Sequence, residues 1–164
     1  MAEPTFEQYV ASRGASLLRL ATVLTGDPHG AQDLVQTALL KASGRWRRVS
    51  RLDHPDAYVR KIIVNRYVSD RRRRSSTELV TAAVPERGGV DMVDQLGVRD
   101  ELRRVLATLA ARQRAVLVLR YYADLGDAEI AALLGCGEST VRSQASRALA
   151  TVRDRLETVR AEEP

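Results

Sequence analysis

The side chains best suited to binding another molecule lie between Asp127 and Arg147. Apolar residues in this stretch recur with helical spacing on both sides of the turn Gly135-Cys136-Gly137, which predicts two short helices. The side of the second helix opposite its apolar stripe is predicted to be solvent-exposed and carries hydroxyl and arginine side chains, which suit phosphates and base edges in the DNA major groove. These polar residues are Ser139, Thr140, Arg142, Ser143, Ser146 and Arg147. Although an ordinary surface helix can look similar, the pairing with a short apolar helix and a tight turn favours a DNA-binding helix-turn-helix.

Apolar stripes define the elements that must position this polar side. The first helix is predicted to start at Asp127, whose carboxylate would cap it, and the second near Glu138 or Ser139. Two further helical segments come before them, so the C-terminal part has about four helices. The predicted inward residues of the pair are Ile130, Ala131, Leu133, Leu134, Val141, Ala145, Ala148, Leu149, Val152 and Leu156, and those of the preceding segments are Val98, Leu102, Val105, Leu106, Leu109, Val116, Leu117, Leu119 and Leu125.

The N-terminal part is predicted to be a small bundle of three helices. The first starts at a capping box, Thr5 to Gln8, and ends before Gly26; the second starts after Asp27 and runs to about Ser43. A polar loop, Arg47 to Asp56, is expected next, and the third helix begins near Pro55 and ends in four consecutive arginines, 71–74. The predicted core residues are Tyr9, Val10, Leu17, Leu20, Ala21, Leu24, Ala31, Leu34, Val35, Ala38, Leu39, Ala42, Tyr58, Val59, Ile62, Ile63, Tyr67 and Val68.

Between these parts, residues 75–97 lose helical periodicity and accumulate glycine and proline. Such composition is typical of a flexible linker. The expected fold is therefore all-α, with two small helical domains at 1–74 and 98–164 joined by the linker 75–97. No strand-like alternation or internal repeat is evident.

Composition narrows the classes of function. The chain has 164 residues, an apolar fraction of 45% and a net charge of +5, which favours a globular protein with a polyanionic partner. A single cysteine, no signal peptide and no membrane-length apolar run indicate a cytoplasmic protein without disulfides or membrane contact. The two histidines, His29 and His54, are isolated, and no nucleophile motif or phosphate-binding loop appears. We therefore expect no catalytic site, metal, cofactor or small-molecule substrate.

Two motifs, in order, resemble a known family. The run LAARQRAVLVLRYYADLGDAEIAALLGCGESTVRSQASRALATVR is similar to region 4 of the sigma-70 superfamily, in its extracytoplasmic-function (ECF) branch and the SigE-like group. DPHGAQDLVQTALLKASGRW and DHPDAYVRKIIVNRYVSDRRRR are similar to region 2 of the same family. The resemblance implies a promoter-specificity subunit, not itself an enzyme, that binds core RNA polymerase and promoter DNA. An anti-sigma factor is a possible further partner.

The resemblance also implies roles for individual residues. The segment Asp33, Leu34, Val35 and Gln36 would bind core polymerase; since Leu34 and Val35 also lie on the apolar stripe, Asp33 and Gln36 are the favoured contacts. The loop Val49 to Asp56 and the helix after it would recognise the minus-ten element, and the helix-turn-helix the minus-thirty-five element. The minus-ten residues on that helix would be Arg60, Lys61, Asn65, Arg66, Tyr67, Asp70 and Arg71. Tyr58 and Tyr67 could stack on bases or belong to the core, and Trp46 is left unassigned.

Two other interpretations remain open on the sequence. One is a two-unit regulator whose C-terminal part binds DNA while its N-terminal helices dimerise or sense a ligand. The other is a helical adaptor or enzyme with no role on nucleic acid. Binding to core polymerase would separate the sigma-factor interpretation from both.

Overall fold

The computed structural model describes residues 2–77 and 98–162. All regular secondary structure in these ranges is helical, as the all-α prediction requires. The fold consists of two compact units, residues 1–86 and 87–164. In the described ranges, no helix is both long and apolar enough to cross a membrane.

The N-terminal unit contains four helices: α1 (Phe6–Thr25), α2 (Pro28–Ser43), α3 (Trp46–Val49) and α4 (Pro55–Thr77). The predicted capping box at the start of α1 is present, since the Thr5 hydroxyl accepts from the Gln8 amide and the Gln8 side chain accepts from the Thr5 amide. Helix α1 ends at Gly26 in the left-handed conformation, φ 66°. Asp27 then caps α2 by accepting from the His29 amide at 3.0 Å. Local sequence signals therefore set the boundaries of the first two helices.

Helices α1, α2 and α4 bury their apolar stripes against one another. Val64, which faces the same core from α4, was not among the predicted inward residues. Removing these side chains from water supplies the main driving force for packing the bundle. The buried residues are Tyr9, Leu17, Leu20, Ala21, Leu24, Ala31, Leu34, Val35, Ala38, Ala42, Val49, Val59, Ile63, Val64 and Tyr67.

Two boundaries differ from the sequence prediction. The segment 47–56 is not entirely a loop, because it begins within the helical turn α3, which buries Val49 to 1% exposure. Burial of one valine and packing of Trp46 stabilise a turn too short to show helical periodicity. Helix α4 continues to Thr77, past the predicted end at the arginine block. The rest of the predicted linker lies outside the described residues, and the domain boundaries stay predictions.

The C-terminal unit contains α5 (Val98–Ala107), α6 (Ala111–Leu117), α7 (Asp127–Leu134) and α8 (Glu138–Glu162). A π-helical turn, Val118–Tyr122, extends α6 and closes where the Ala123 amide donates to the Val118 carbonyl at 3.0 Å. This arrangement agrees with the predicted four helices, although the π-helical turn has no sequence signal. One predicted core residue is wrong, because Leu102 on α5 is 43% exposed. The apolar stripe of α5 is wider than the surface that the neighbouring helices cover, and Leu102 lies on the uncovered part.

Helix α8 packs against α5, α6 and α7 and is the central helix of this unit. Its Ala148 is fully buried with Leu109 and Leu117, and Leu106, Leu149 and Val152 pack around them. Small residues on α8 let α6 and α7 approach closely. The other buried apolar residues are Val105, Ala115, Val116, Val118, Leu119, Ile130, Ala131, Leu133, Leu134, Val141 and Ala145.

Candidate nucleic-acid interface

The N-terminal half of α8 separates its buried and exposed sides as the sequence predicted. Val141 and Ala145 are at most 1% exposed and face α7 and the core. Five of the six predicted DNA-binding side chains on the helix are exposed and Thr140 is partly exposed. The helix therefore presents a continuous polar side whose orientation is fixed by an apolar one. The exposed five are Ser139, Arg142, Ser143, Ser146 and Arg147.

The turn between α7 and α8 has the geometry that its glycines indicated. Gly135 adopts φ 65° and ends α7, with its amide donating to the Ala131 carbonyl. The start of α7 differs from the prediction. Gly126 is the N-cap, and its amide donates to Glu129 Oε2 at 2.9 Å, so Glu129 and not Asp127 satisfies the helix start.

Asp127 instead forms a bridge across the helix-turn-helix. One carboxylate oxygen accepts from the guanidinium of Arg120 in the π-helical turn, and the other lies 3.9 Å from Arg142 Nη1 on α8. The hydrogen bond to Asp127 raises the pKa of the Arg120 guanidinium. Asp127 thus links the segment before α7 to the exposed polar side of α8, a role that the sequence does not reveal because the three residues are 7 and 15 residues apart in the chain.

The two arginines on this face have different surroundings. Arg142 Nη1 lies 3.9 Å from Asp127 and 3.8 Å from Glu138 Oε2, with 59% of its side chain exposed. Arg147 is exposed and makes no ion pair within the described part of the chain. Arg142 is therefore partly neutralised in the free protein, whereas Arg147 offers its full charge to a ligand.

Helix α4 distributes the predicted minus-ten residues over different surroundings. Lys61 and Asn65 are exposed. Arg60 pairs with Asp56 at 3.1 Å, and Arg66 pairs with Asp70 at 3.1 Å.

Tyr67 is only 3% exposed and is a core residue. Its ring is thus unavailable for base stacking in this conformation, which settles the alternative in favour of the core. Helix periodicity had allowed either position. Among the predicted minus-ten residues, Tyr67 therefore contributes to the bundle and not to the surface.

The predicted polymerase-binding segment divides in the same way. Leu34 and Val35 are 7% exposed and pack in the bundle, while Asp33 and Gln36 are exposed on α2. A groove of about 220 Å³ lies between α2 and α4. It is lined on one side by Asp33 and on the other by Arg66, Asp70 and Arg71, among others. Residues predicted for polymerase and for DNA therefore meet in one groove.

Sequence reasoning missed a set of contacts made by the first residues of the chain. Phe6 and Tyr9 pack on Trp46, with ring centroids 5.5 and 4.9 Å away. Tyr9 also donates to Asp56 Oδ1 at 2.9 Å. The pattern Thr5 to Gln8 signalled a helix start, but no local pattern could show partners that lie 37 to 47 residues later in the chain. Within the described ranges, no group of three or more potential ligands could hold a metal ion.

Comparison with known proteins gives the two units a family. Residues 10–77 match the model of sigma-70 region 2, and residues 99–152 match that of sigma-70 region 4. The chain is 40% identical to the RNA polymerase sigma-E factor of Streptomyces avermitilis, over 93% of this chain and 85% of the relative. It is 41% identical to the corresponding factor of Streptomyces coelicolor, over 92% and 85%.

Two more distant similarities agree. The ECF RNA polymerase sigma factor SigL of Mycobacterium tuberculosis is 32% identical, over 85% of this chain and 81% of the relative. A solved structure of the sigma factor RpoE from Bartonella quintana, in complex with the anti-sigma factor NepR, has a TM-score of 0.69 at 24% identity and covers 93% of this chain and 96% of its own. The chain belongs to the sigma-70 family as an ECF RNA polymerase sigma factor and functions in transcription initiation.

Proposed function

We propose that the two units divide promoter recognition between them, and that three surfaces bind polymerase and the two promoter elements. Exposed residues of α2 bind core RNA polymerase, α4 with the loop before it recognises the minus-ten element, and α8 recognises the minus-thirty-five element. One observation supports this most directly: on α8 the buried side of the helix-turn-helix fixes an opposite side that is rich in hydroxyl and guanidinium groups. In this proposal, residues 1–74 form the region 2 domain, residues 75–97 the linker, and residues 98–164 the region 4 domain.

Recognition of duplex DNA follows from the chemistry of α8. A guanidinium can donate two parallel hydrogen bonds to guanine O6 and N7, which discriminates base pairs, whereas contacts to phosphate only position the helix. Arg142 and Arg147, with Ser143 and Ser146 between them, face the groove. Ser139 and Thr140 at the helix start are placed to bind phosphate through hydroxyls and backbone amides, with help from the helix dipole.

Recognition of the opened strand follows from the charge of α4. Lys61 and Asn65 are exposed one turn apart on α4, and the arginines 71–74 make the later turns of this helix strongly basic. A single strand can bind such a basic helix through its phosphates, and its unstacked bases need a pocket nearby. The loop between α3 and α4, which leads into this helix, supplies the place for those bases.

Binding to core polymerase rests on α2. Asp33 and Gln36 are one turn apart on its exposed side, and their carboxylate and amide can form hydrogen bonds with a polar partner surface. Leu34 and Val35 support this surface from the core. Because all three surfaces act by binding, we infer that the protein is a cytoplasmic subunit without a reaction, cofactor or small-molecule substrate of its own.

The similarity to RpoE suggests a further partner. That sigma factor was solved in complex with the anti-sigma factor NepR. We expect an anti-sigma factor for this chain also, and a protein that covers the exposed surfaces of both units would prevent both polymerase and DNA binding.

Run-off transcription tests the proposed function. Core RNA polymerase from the same organism is incubated with a genomic promoter library, with and without the protein. New start sites that share paired upstream elements are expected. Duplex binding without any initiation would instead indicate a two-unit transcription regulator. Arg147→Ala should relax preference within the upstream element and cost about 1–3 kcal/mol on the preferred sequence.

A further inference from the structure

The loop between α3 and α4 (residues 50–54) has little support from its own backbone. Its backbone hydrogen bonds are all local: the amides of Ser50, Arg51 and Leu52 donate to the carbonyls of Trp46, Arg48 and Val49 at 2.8, 3.3 and 3.1 Å. The side chains of Arg51, Leu52 and Asp53 are exposed. A loop of this kind samples many conformations unless contacts from elsewhere hold its ends.

Such contacts come from the first residues of the chain. We define the N-terminal clamp as Glu3, Pro4, Phe6 and Tyr9. At one end of the loop, the Trp46 indole donates to the Pro4 carbonyl at 2.9 Å while its ring packs against Phe6 and Tyr9. Trp46 begins α3, so this contact fixes the turn from which the loop leaves.

The clamp also reaches the next residues of the loop. Glu3 lies 3.4 Å from Arg51 Nε and accepts from the Ser50 hydroxyl at 3.4 Å. These groups are exposed, so the ion pair adds little to stability in water. It nevertheless restricts where the first loop residues can lie.

At the other end of the loop, Asp56 in the first turn of α4 is held from three sides. Tyr9 donates to Oδ1 at 2.9 Å, Arg60 Nε lies 3.1 Å from Oδ2, and Arg13 Nε lies 3.9 Å from Oδ1. The carboxylate is 18% exposed. Burial and the neighbouring carboxylate both raise the pKa of Tyr9, so its hydroxyl stays protonated and continues to donate.

Both ends of the loop are therefore attached to α1 through rings and hydrogen bonds, while the loop side chains face outwards. We propose that Tyr9, Trp46 and Asp56 are positioning residues for promoter opening, which hold the α3–α4 loop in the conformation that receives unstacked minus-ten bases. This inference rests on the proposed function of the loop. Preorganisation acts by removing the entropic cost of ordering the loop when DNA binds.

The test removes the hydrogen bonds and keeps an aromatic ring at both positions. The double variant Tyr9→Phe/Trp46→Phe loses the donors to Asp56 and Pro4, and at position 46 a smaller phenyl ring replaces the indole. Tyr122→Phe is the matched control, because it removes an exposed hydroxyl in the C-terminal unit that makes no hydrogen bond within the described residues. Each protein is assembled with core polymerase on a promoter mapped by run-off transcription.

Three readouts separate positioning from general damage. The first is binding to a fork-junction DNA in which the non-template strand of the minus-ten element is single-stranded, together with the rate of promoter opening, reported by 2-aminopurine in that element. The second is binding to a duplex with only the upstream element, and the third is affinity for core polymerase. We expect the double variant to lose roughly three- to tenfold in the first readout, with the other two within about twofold of the parent.

Unchanged fork-junction binding and opening would overturn the proposal, and so would equal losses in all three readouts, which indicate a structural role only. If circular dichroism shows that the double variant does not fold, the single variants Tyr9→Phe and Trp46→Phe decide by the same comparison. A parent protein that gives no polymerase-dependent opening at any promoter would refute the proposed function itself, an outcome distinct from a parent that opens promoters and a variant that does so equally well.

Discussion

The carboxylate of Glu138 stands at the beginning of the helix that we assign to the minus-thirty-five element. It lies 3.8 Å from Arg142 Nη1, and both side chains are more than half exposed. A negative charge on a DNA-facing side has two effects. It neutralises part of the Arg142 charge in the free protein, and it repels phosphate in the complex. We predict that Glu138→Gln increases affinity for duplex DNA and reduces sequence discrimination.

The structure sets the size of each effect. An exposed pair four residues apart in a helix contributes about 0.3–0.5 kcal/mol, and an acidic residue in the first turn stabilises the helix dipole by about 0.3–1 kcal/mol. Glu138→Gln should therefore lower the free energy of unfolding by roughly 0.6–1.5 kcal/mol. Releasing Arg142 and removing the repulsion should together tighten duplex binding roughly two- to fivefold at low salt.

Fluorescence anisotropy with a preferred and a scrambled duplex, over a salt series, measures these quantities. Glu157→Gln is the matched control, since it makes the same change in charge on an exposed residue of α8 about 28 Å further along the helix axis. Only Glu138→Gln should gain on the scrambled duplex, with a salt dependence steeper by about one phosphate contact. Equal gains from both variants would mean that net charge alone acts, and would refute the assigned role of Glu138.

Other substitutions test the packing that positions the sites. Tyr9→Phe should lower the free energy of unfolding by about 1 kcal/mol. Because the pKa of Tyr9 in the folded protein lies above its ordinary value of 10.0, this residue's contribution to stability should be constant below that pH and should fall as pH rises through it. Urea titrations between about pH 9 and pH 11 should therefore show a smaller loss of stability for the variant than for the parent. Ala148→Leu should destabilise the C-terminal unit by about 1–3 kcal/mol, because Ala148 is fully buried against Leu109 and Leu117; a melting temperature equal to that of the parent would contradict this packing. Gly135→Ala should lower the free energy of unfolding by about 1 kcal/mol because of the left-handed backbone alone, since a Cβ at this position would meet nothing within 4 Å. Gly135→Asn should lower it less, because asparagine adopts this conformation more readily. Equal urea midpoints for the two variants would contradict this reasoning.

Local sequence signals were sufficient for much of the fold. The capping box at Thr5, the left-handed glycines Gly26 and Gly135, and the apolar stripes predicted helices that the structure contains. The polar side of α8 was also predictable, because the spacing that buries Val141 and Ala145 necessarily turns the intervening residues outwards. The family could be identified because two motifs occur in order along one chain.

Periodicity alone was insufficient where a residue could serve two purposes. Tyr67, Leu34 and Val35 lie on stripes that fit both a core and a binding surface, and only the packed bundle shows that they are buried. Leu102 lies on the predicted stripe yet stays 43% exposed. Helical spacing determines a direction around one helix axis, but whether another element covers that direction depends on the whole unit.

The sequence by itself determined the helical class, most helix boundaries and the chemistry of the polar side of α8, because these depend on residues within about one or two helical turns of each other. Only the tertiary structure showed that Asp127 bridges Arg120 and Arg142 and that Tyr9 and Trp46 hold the ends of the α3–α4 loop. These contacts join residues that are apart in the chain, and their geometry exists only after the hydrophobic stripes have packed. Packing thus determines which charges are paired and which remain available for DNA.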